Sequence, residues 1–133
     1  DGWQKGQFLP AIQFESSWAW PKPSQQPHPP IVMGGAVGPK TAAHIAEFCD
    51  GWLPLGGAHD LDGGLARIKE ACDKIGRDPA SVALSMFYAR APKPDDFKKH
   101  AELGAIRGIL PLPSEGADKV LPLLDEYAAL IGQ

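Results

Sequence analysis

Beyond Pro30 the chain alternates four times between a short apolar run and a helical period, with little between them. The runs occupy residues 31–33, 52–55, 82–88 and 106–110. Each is mainly apolar and reads as a strand covered on both faces rather than an alternating, half-exposed one. Ala42, Ile45, Ala46 and Cys49 recur at helical spacing, and so, with small slips, do Leu65, Ile68, Cys72 and Ile75. A shorter helix is expected over about 95–103, and a fourth carries Leu121, Leu124, Ala128 and Ile131 on one face, stopped by Gly132. Gly76 ends the second helix, and Arg77, Asp78 and Pro79 turn the chain into the third strand.

Strands and helices that alternate across such short connections make parallel strands joined by right-handed crossovers. The expected fold is therefore α/β, four consecutive βα units over residues 31–133, half of an eight-stranded βα (TIM) barrel. A closed barrel takes about 250 residues, and the sequence has 133. An open four-stranded sheet, a half-barrel completed by a second chain and the tail of a longer protein all fit this length. Unpaired parallel edges invite association, so a partner is expected, either a homo-oligomer or a missing N-terminal half.

Residues 1–30 read differently. They hold no periodic element, and Trp18, Trp20, Pro21, Pro23, Pro27, Pro29 and Pro30 crowd one segment. An extended arm laid over the core by its aromatic rings is expected, with an active-site insertion or a dimer contact as the sharper reading.

Thirteen basic against sixteen acidic residues leave a net charge of -3, which argues against a nucleic-acid or anionic-membrane surface. No apolar run approaches the roughly 20 residues that span a bilayer, and the start, DGWQKGQFLP, lacks the regions of a signal peptide. Cys49 and Cys72 are expected as buried free thiols of a cytoplasmic protein.

Ligands of parallel βα folds gather at the carboxyl ends of the strands. That rule selects the loops at 34–38, 56–62, 91–95 and 113–116. In the first, Gly34, Gly35, Ala36, Val37 and Gly38 run into a helix start, so small residues and free N–H groups together suit a phosphate. A plain tight turn has the same spacing, and neither a Walker loop nor a dinucleotide fingerprint is present. The second loop holds His59 and Asp60, which could move protons or meet a metal, and Asp62, expected as a helix N-cap. His44 and His100 fall within helices, facing solvent or partly packed, and His28 sits between prolines as a structural residue. No histidine pair has metal-ligand spacing, and no nucleophile elbow is present. One anion cradle and no catalytic set emerge.

Four separated stretches, FESSWAWPKPSQQPHPPIVMGG, TAAHIAEFCDGWLPLGG, the GRDP at 76–79 and ELGAIRGILPLP, resemble the luciferase-like monooxygenase family. The likeness is greatest to its actinobacterial members that use the 8-hydroxy-5-deazaflavin coenzyme F-420. The resemblance implies a barrel that binds this coenzyme or, alternatively, flavin mononucleotide (FMN) at its carboxyl end, for hydride transfer or oxygenation at the ring. It implies that Gly34, Gly35, Ala36, Val37 and Gly38 contact the cofactor's phosphate and linker, with Trp52 nearby. Only the last half of the family pattern is matched, so no catalytic residue is carried over. The alternative is a self-associating half-barrel without redox activity, a binding or structural module.

Overall fold

The structure, a computed structural model, describes residues 20–130 and the backbone of 6–9 and 12–14. The expected roles of Trp18, Ile131 and Gly132 lie outside the described residues. Strands β1 (Gly6–Leu9) and β2 (Ile12–Phe14) pair antiparallel within the region expected to hold no element. Strands this short are held by backbone groups and need no apolar period to announce them. Residues 20–28 are exposed, and Trp20 is 68% accessible, so its ring does not lie on the core.

The rest follows the expected alternation: β3 (Val32–Gly34), α1 (Pro39–Phe48), β4 (Gly51–Leu53), α2 (Leu61–Ile75), β5 (Ala83–Phe87), α3 (Pro94–Glu102), β6 (Ala105–Ile109) and α4 (Ala117–Ala128). The four later strands form one parallel sheet in the order β3-β4-β5-β6. Four parallel strands with four helices are the architecture of half an eight-stranded βα barrel.

Local chemistry sets the boundaries. Pro39, which has no N–H to satisfy, opens α1, and Ala42, Ile45 and Ala46 bury its inner face. The cap of α2 is Asp60, not the expected Asp62. Asp60 has the extended backbone a cap needs, and its carboxylate accepts the Gly63 N–H at 2.9 Å. Asp62 lies inside the first turn, where its charge favours the helix dipole. Gly76 closes α2 in the left-handed conformation, φ 72°.

The GRDP stretch proves to be a staple. Arg77 Nη1 donates to the carbonyls of Ile45 (3.1 Å) and Ala46 (2.9 Å), tying the end of α1 to the end of α2. Asp78 accepts the Ala80 N–H, and Pro79 opens the 3-10 turn Pro79–Ser81 that leads into β5. The DGW stretch works the same way from the sheet side. Asp50 accepts the Ile31 N–H at 2.7 Å, fixing where the N-terminal segment enters β3. A Cβ on Gly51 would lie 2.8 Å from the Ala83 carbonyl oxygen, so β4 reaches β5 only with glycine there.

Register divides the sheet into two faces. Met33, Trp52 and Leu84 form one row, and with Met86 and Tyr88 they pack beneath the helices. The alternate residues Val32, Phe87 and Ile109 lie on the opposite face and are 43%, 42% and 38% accessible. The expectation of strands buried on both faces therefore fails at β3 and β6, because only one face of the sheet carries helices. In α4, Leu121 and Leu124 are exposed and only Tyr127 is buried among its described residues. Ile75 is exposed as well. Cys49 and Cys72 are free and buried, and burial raises both thiols above their ordinary pKa. No helix among the described residues is long and apolar enough to cross a membrane.

Candidate functional site

The carboxyl ends of β3 and β4 bring the first two loops together. Gly34 ends β3, and the chain reverses at Gly35, whose φ of 94° lies in the region that favours glycine. Both backbone groups of Gly35 are engaged. Its N–H donates to the Leu53 carbonyl at 3.1 Å, and its carbonyl accepts from Trp52 Nε1 at 2.8 Å. Trp52 is 1% accessible and sits under the turn, where α2 approaches so closely that a Cβ on Gly64 would collide with the indole. The DGW tryptophan therefore clamps the glycine turn from beneath.

Above the clamp, Ala36, Val37 and Gly38 lead into α1. No protein acceptor meets their N–H groups among the described residues, nor those of Lys40 and Thr41 in the first turn. Val37 turns its side chain into the core, while Gly38 has extended backbone before Pro39. A Cβ on Gly35 or Gly38 would meet nothing within 4 Å, so the space over the turn is open. A cavity of about 300 Å³ lies here, walled by Ala36, Val37, Gly38, His59, Asp60 and Arg67.

Arg67 was not foreseen from sequence. It extends from α2 to the turn, with Nη1 3.4 Å from the Val37 carbonyl and 3.6 Å from the Asp60 carboxylate. Gly63 and Gly64, four and three residues earlier, mark the same side of α2 and were the available signal. Asp60 is committed to the Gly63 N–H and lies beside this guanidinium, so its charge is largely answered. His59 accepts the Leu55 N–H on Nδ1 at 2.9 Å, which places the proton of the neutral ring on Nε2. That bond closes the second loop on itself, and Arg67 is what bridges Asp60 of this loop to Val37 of the first.

The third loop, 91–95, joins a different cavity of about 660 Å³ between the loops after β4 and β5, lined in part by Asp62, Arg90 and Asp96. The loop at 113–116 joins neither cavity. Tyr88 and His100 form the inner wall of this second cavity, with the hydroxyl and Nδ1 2.7 Å apart. His100 is 7% accessible, contrary to the expected solvent-facing or partly packed histidine, because the Tyr88 hydroxyl satisfies it inside. His44 is exposed, its ring 5.8 Å from Phe48, and His28 Nδ1 lies 2.9 Å from the Pro29 carbonyl. Among the described residues no three His, Cys, Asp or Glu side chains come together as a metal site.

Burial lowers the pKa of His100, with Asp96 opposing and Lys99 reinforcing the shift. A depressed imidazole leaves the unfolded chain with more bound protons on the acid side, so stability rises with pH there. This contribution is complete above the unfolded value of about 6.5 and is lost as pH falls through the folded one. Urea unfolding at a series of pH values is expected to show that decline, and His100→Gln is expected to flatten it. An identical acid slope in both proteins would contradict the assignment.

The model of the family described as luciferase-like monooxygenase matches residues 5–127. An uncharacterized protein of Mycobacterium tuberculosis (strain H37Rv) and another of Mycobacterium bovis are each 34% identical over 120 residues. The match takes in 89% of this chain and 41% of each relative, so the chain spans about two fifths of the length of these curated relatives.

Proposed function

Because the chain belongs to the luciferase-like monooxygenase family, we propose that it holds the phosphate of that family's flavin-type cofactor at the turn between β3 and α1. The deazaflavin coenzyme F-420 is the first choice and FMN the second. The observation that carries this reading is the row of unmatched N–H groups on Ala36, Val37, Gly38, Lys40 and Thr41, at the positive end of α1 and under open space.

The residues present fit an anion. Gly35 gives the turn its shape and has no donor to spare, since its N–H belongs to Leu53. The donors are the three residues after it and the first turn of α1, with Gly34 at the rim. Trp52 fixes their direction before anything binds, and preorganised donors need no rearrangement to meet charge. Arg67 brings a guanidinium to the α2 side, shared with the Asp60 carboxylate 3.6 Å away. A bound flavin-type cofactor would supply the hydride or oxygen chemistry at its ring. This chain's own residues would bind and orient its phosphate end, and none of those described is placed to act on the ring.

Titration of the chain with each cofactor, followed by cofactor fluorescence, tests the reading. Saturable binding is expected, weakened about tenfold by Arg67→Ala, as for loss of one charge-assisted contact. Equal affinity in the variant would remove Arg67 from the site.

A further inference from the structure

We propose that the cavity of about 660 Å³ between the loops after β4 and β5 is a second ligand site, which takes a small hydroxy- or oxo-carboxylate of single negative charge. The inference does not rest on the cofactor reading, and its test needs no cofactor.

The observation that points to a ligand is the unpaired side of His100. The residue is 7% accessible, and its Nδ1 is engaged by the Tyr88 hydroxyl at 2.7 Å. Its Nε2 has no protein partner among the described residues. Yet no enclosed side-chain nitrogen or oxygen among them is left unmatched, so Nε2 opens onto a space. Two spaces flank α3 at this level. One, of about 510 Å³, lies over β6 and has Met86, Phe97, Ala105 and Ile106 in its walls. The other is the cavity at the carboxyl ends of the strands. The charges that act on the imidazole are those of Asp96 and Lys99, which line the second space. Asp95, Lys98 and Arg107, which line the first, are not among them. The ring therefore stands on the side of the larger, more polar cavity.

The walls set the ligand's charge. Arg90, Lys93 and Lys99 line the cavity and make no ion pair among the described residues. Of the wall's carboxylates, Asp60 is answered by Arg67 at 3.6 Å, which leaves Asp62 and Asp96. Three cations against two carboxylates leave one positive charge to be matched, and a monoanion matches it. A phosphate finds no cradle here, because carboxylates already occupy both helix starts. Asp60 accepts the Gly63 N–H at the start of α2, and Asp96 accepts the Lys93 N–H at the start of α3. A carboxylate needs no helix amides, since the planar guanidinium of Arg90 can meet both its oxygens.

His100 sets the rest of the ligand. Burial holds its pKa below the ordinary value, so the imidazole is neutral at pH 7. A neutral ring in a half-enclosed site pairs with a neutral oxygen rather than with a second charge. The Tyr88 hydroxyl can donate to Nδ1 or accept from it, so Nε2 can donate to a carbonyl or accept from a hydroxyl. Position and size agree with a ligand site. The cavity lies at the carboxyl ends of parallel strands, and its volume falls within the roughly 300–1,000 Å³ of small-molecule pockets.

Titration of the full chain with lactate, pyruvate and gluconate at constant ionic strength tests the proposal, read from the His100 ring nitrogens and the backbone amides. Saturable movement of His100 Nε2 together with the amides of Arg90 and Lys99 is expected with at least one of the three. Acetate, which lacks the neutral oxygen, and succinate, which adds a second charge, should bind at least several-fold more weakly. Arg90→Gln, at an exposed position, is expected to weaken binding about tenfold at an unchanged urea midpoint. His100→Gln should bring the affinity of the preferred acid down towards that of acetate. Should that variant fail to fold, Arg90→Gln carries the test alone. No saturable movement with any of the three acids would overturn the proposal. So would equal responses to acetate, or affinity unaltered in Arg90→Gln.

Discussion

Trp52→Ala is expected to lower the unfolding free energy by about 3–5 kcal/mol, the range for removing a large buried aromatic side chain. Trp52 is the largest fully buried side chain, packed between the sheet and the glycine-opened start of α2. Domains of this size have only about 5–15 kcal/mol in total, so the variant should unfold at a far lower urea midpoint. Trp52→Phe is the milder change. It retains a smaller aromatic ring but removes both the donor to the Gly35 carbonyl and the ring edge packed against Gly64, an expected loss of about 2–3 kcal/mol. Its cofactor affinity should fall by more than its stability suggests, since the turn loses its fixed direction. Equal affinity in Trp52→Phe and the unaltered chain would show that the clamp serves folding alone.

Gly35→Asp is expected to abolish measurable cofactor binding. A side chain at Gly35 meets open space within 4 Å and would project into the region proposed for the phosphate. Two like charges about 5 Å apart in a partly solvated site repel by roughly 2 kcal/mol or more, so affinity falls at least about thirtyfold from charge alone. Strain at φ 94° adds to the effect in any substituted residue. Gly35→Asn is therefore the matched comparison, with the same shape and backbone demand and no charge. It should bind several-fold more weakly than the unaltered chain, whereas Gly35→Asp should not bind. Parallel behaviour of the two would make strain, not charge, the cause and would count against an anion at the turn.

The apolar runs made the parallel sheet legible from the sequence because strands beneath helices need continuous apolar side chains. Trp52 and Leu84 fall where that pattern put them. The same runs misled at β3 and β6, since composition does not reveal which face of a strand has a neighbour. Val32 and Ile109 read as buried and are exposed. The glycine turn was legible as a shape, but its division of labour was not. Gly35 N–H goes to Leu53, which only the register of β3 against β4 determines. Asp50, Trp52 and Arg77 stood out as motif residues, yet their tasks depend on carbonyls and amides 17 to 32 positions away. Arg67 and His100 were missed because helical periodicity places charged and polar residues outside by default. Each is held by a partner from another element, Val37 and Tyr88 respectively.

The most direct measurement is a titration of the isotope-labelled chain with coenzyme F-420 and with FMN, followed by its backbone amide resonances. Saturable shifts largest at Ala36, Val37, Gly38 and Lys40, and absent in Gly35→Asp, are the predicted result. Binding that leaves those amides unmoved, or a folded chain that binds neither cofactor, would contradict the assignment of the turn as a phosphate cradle.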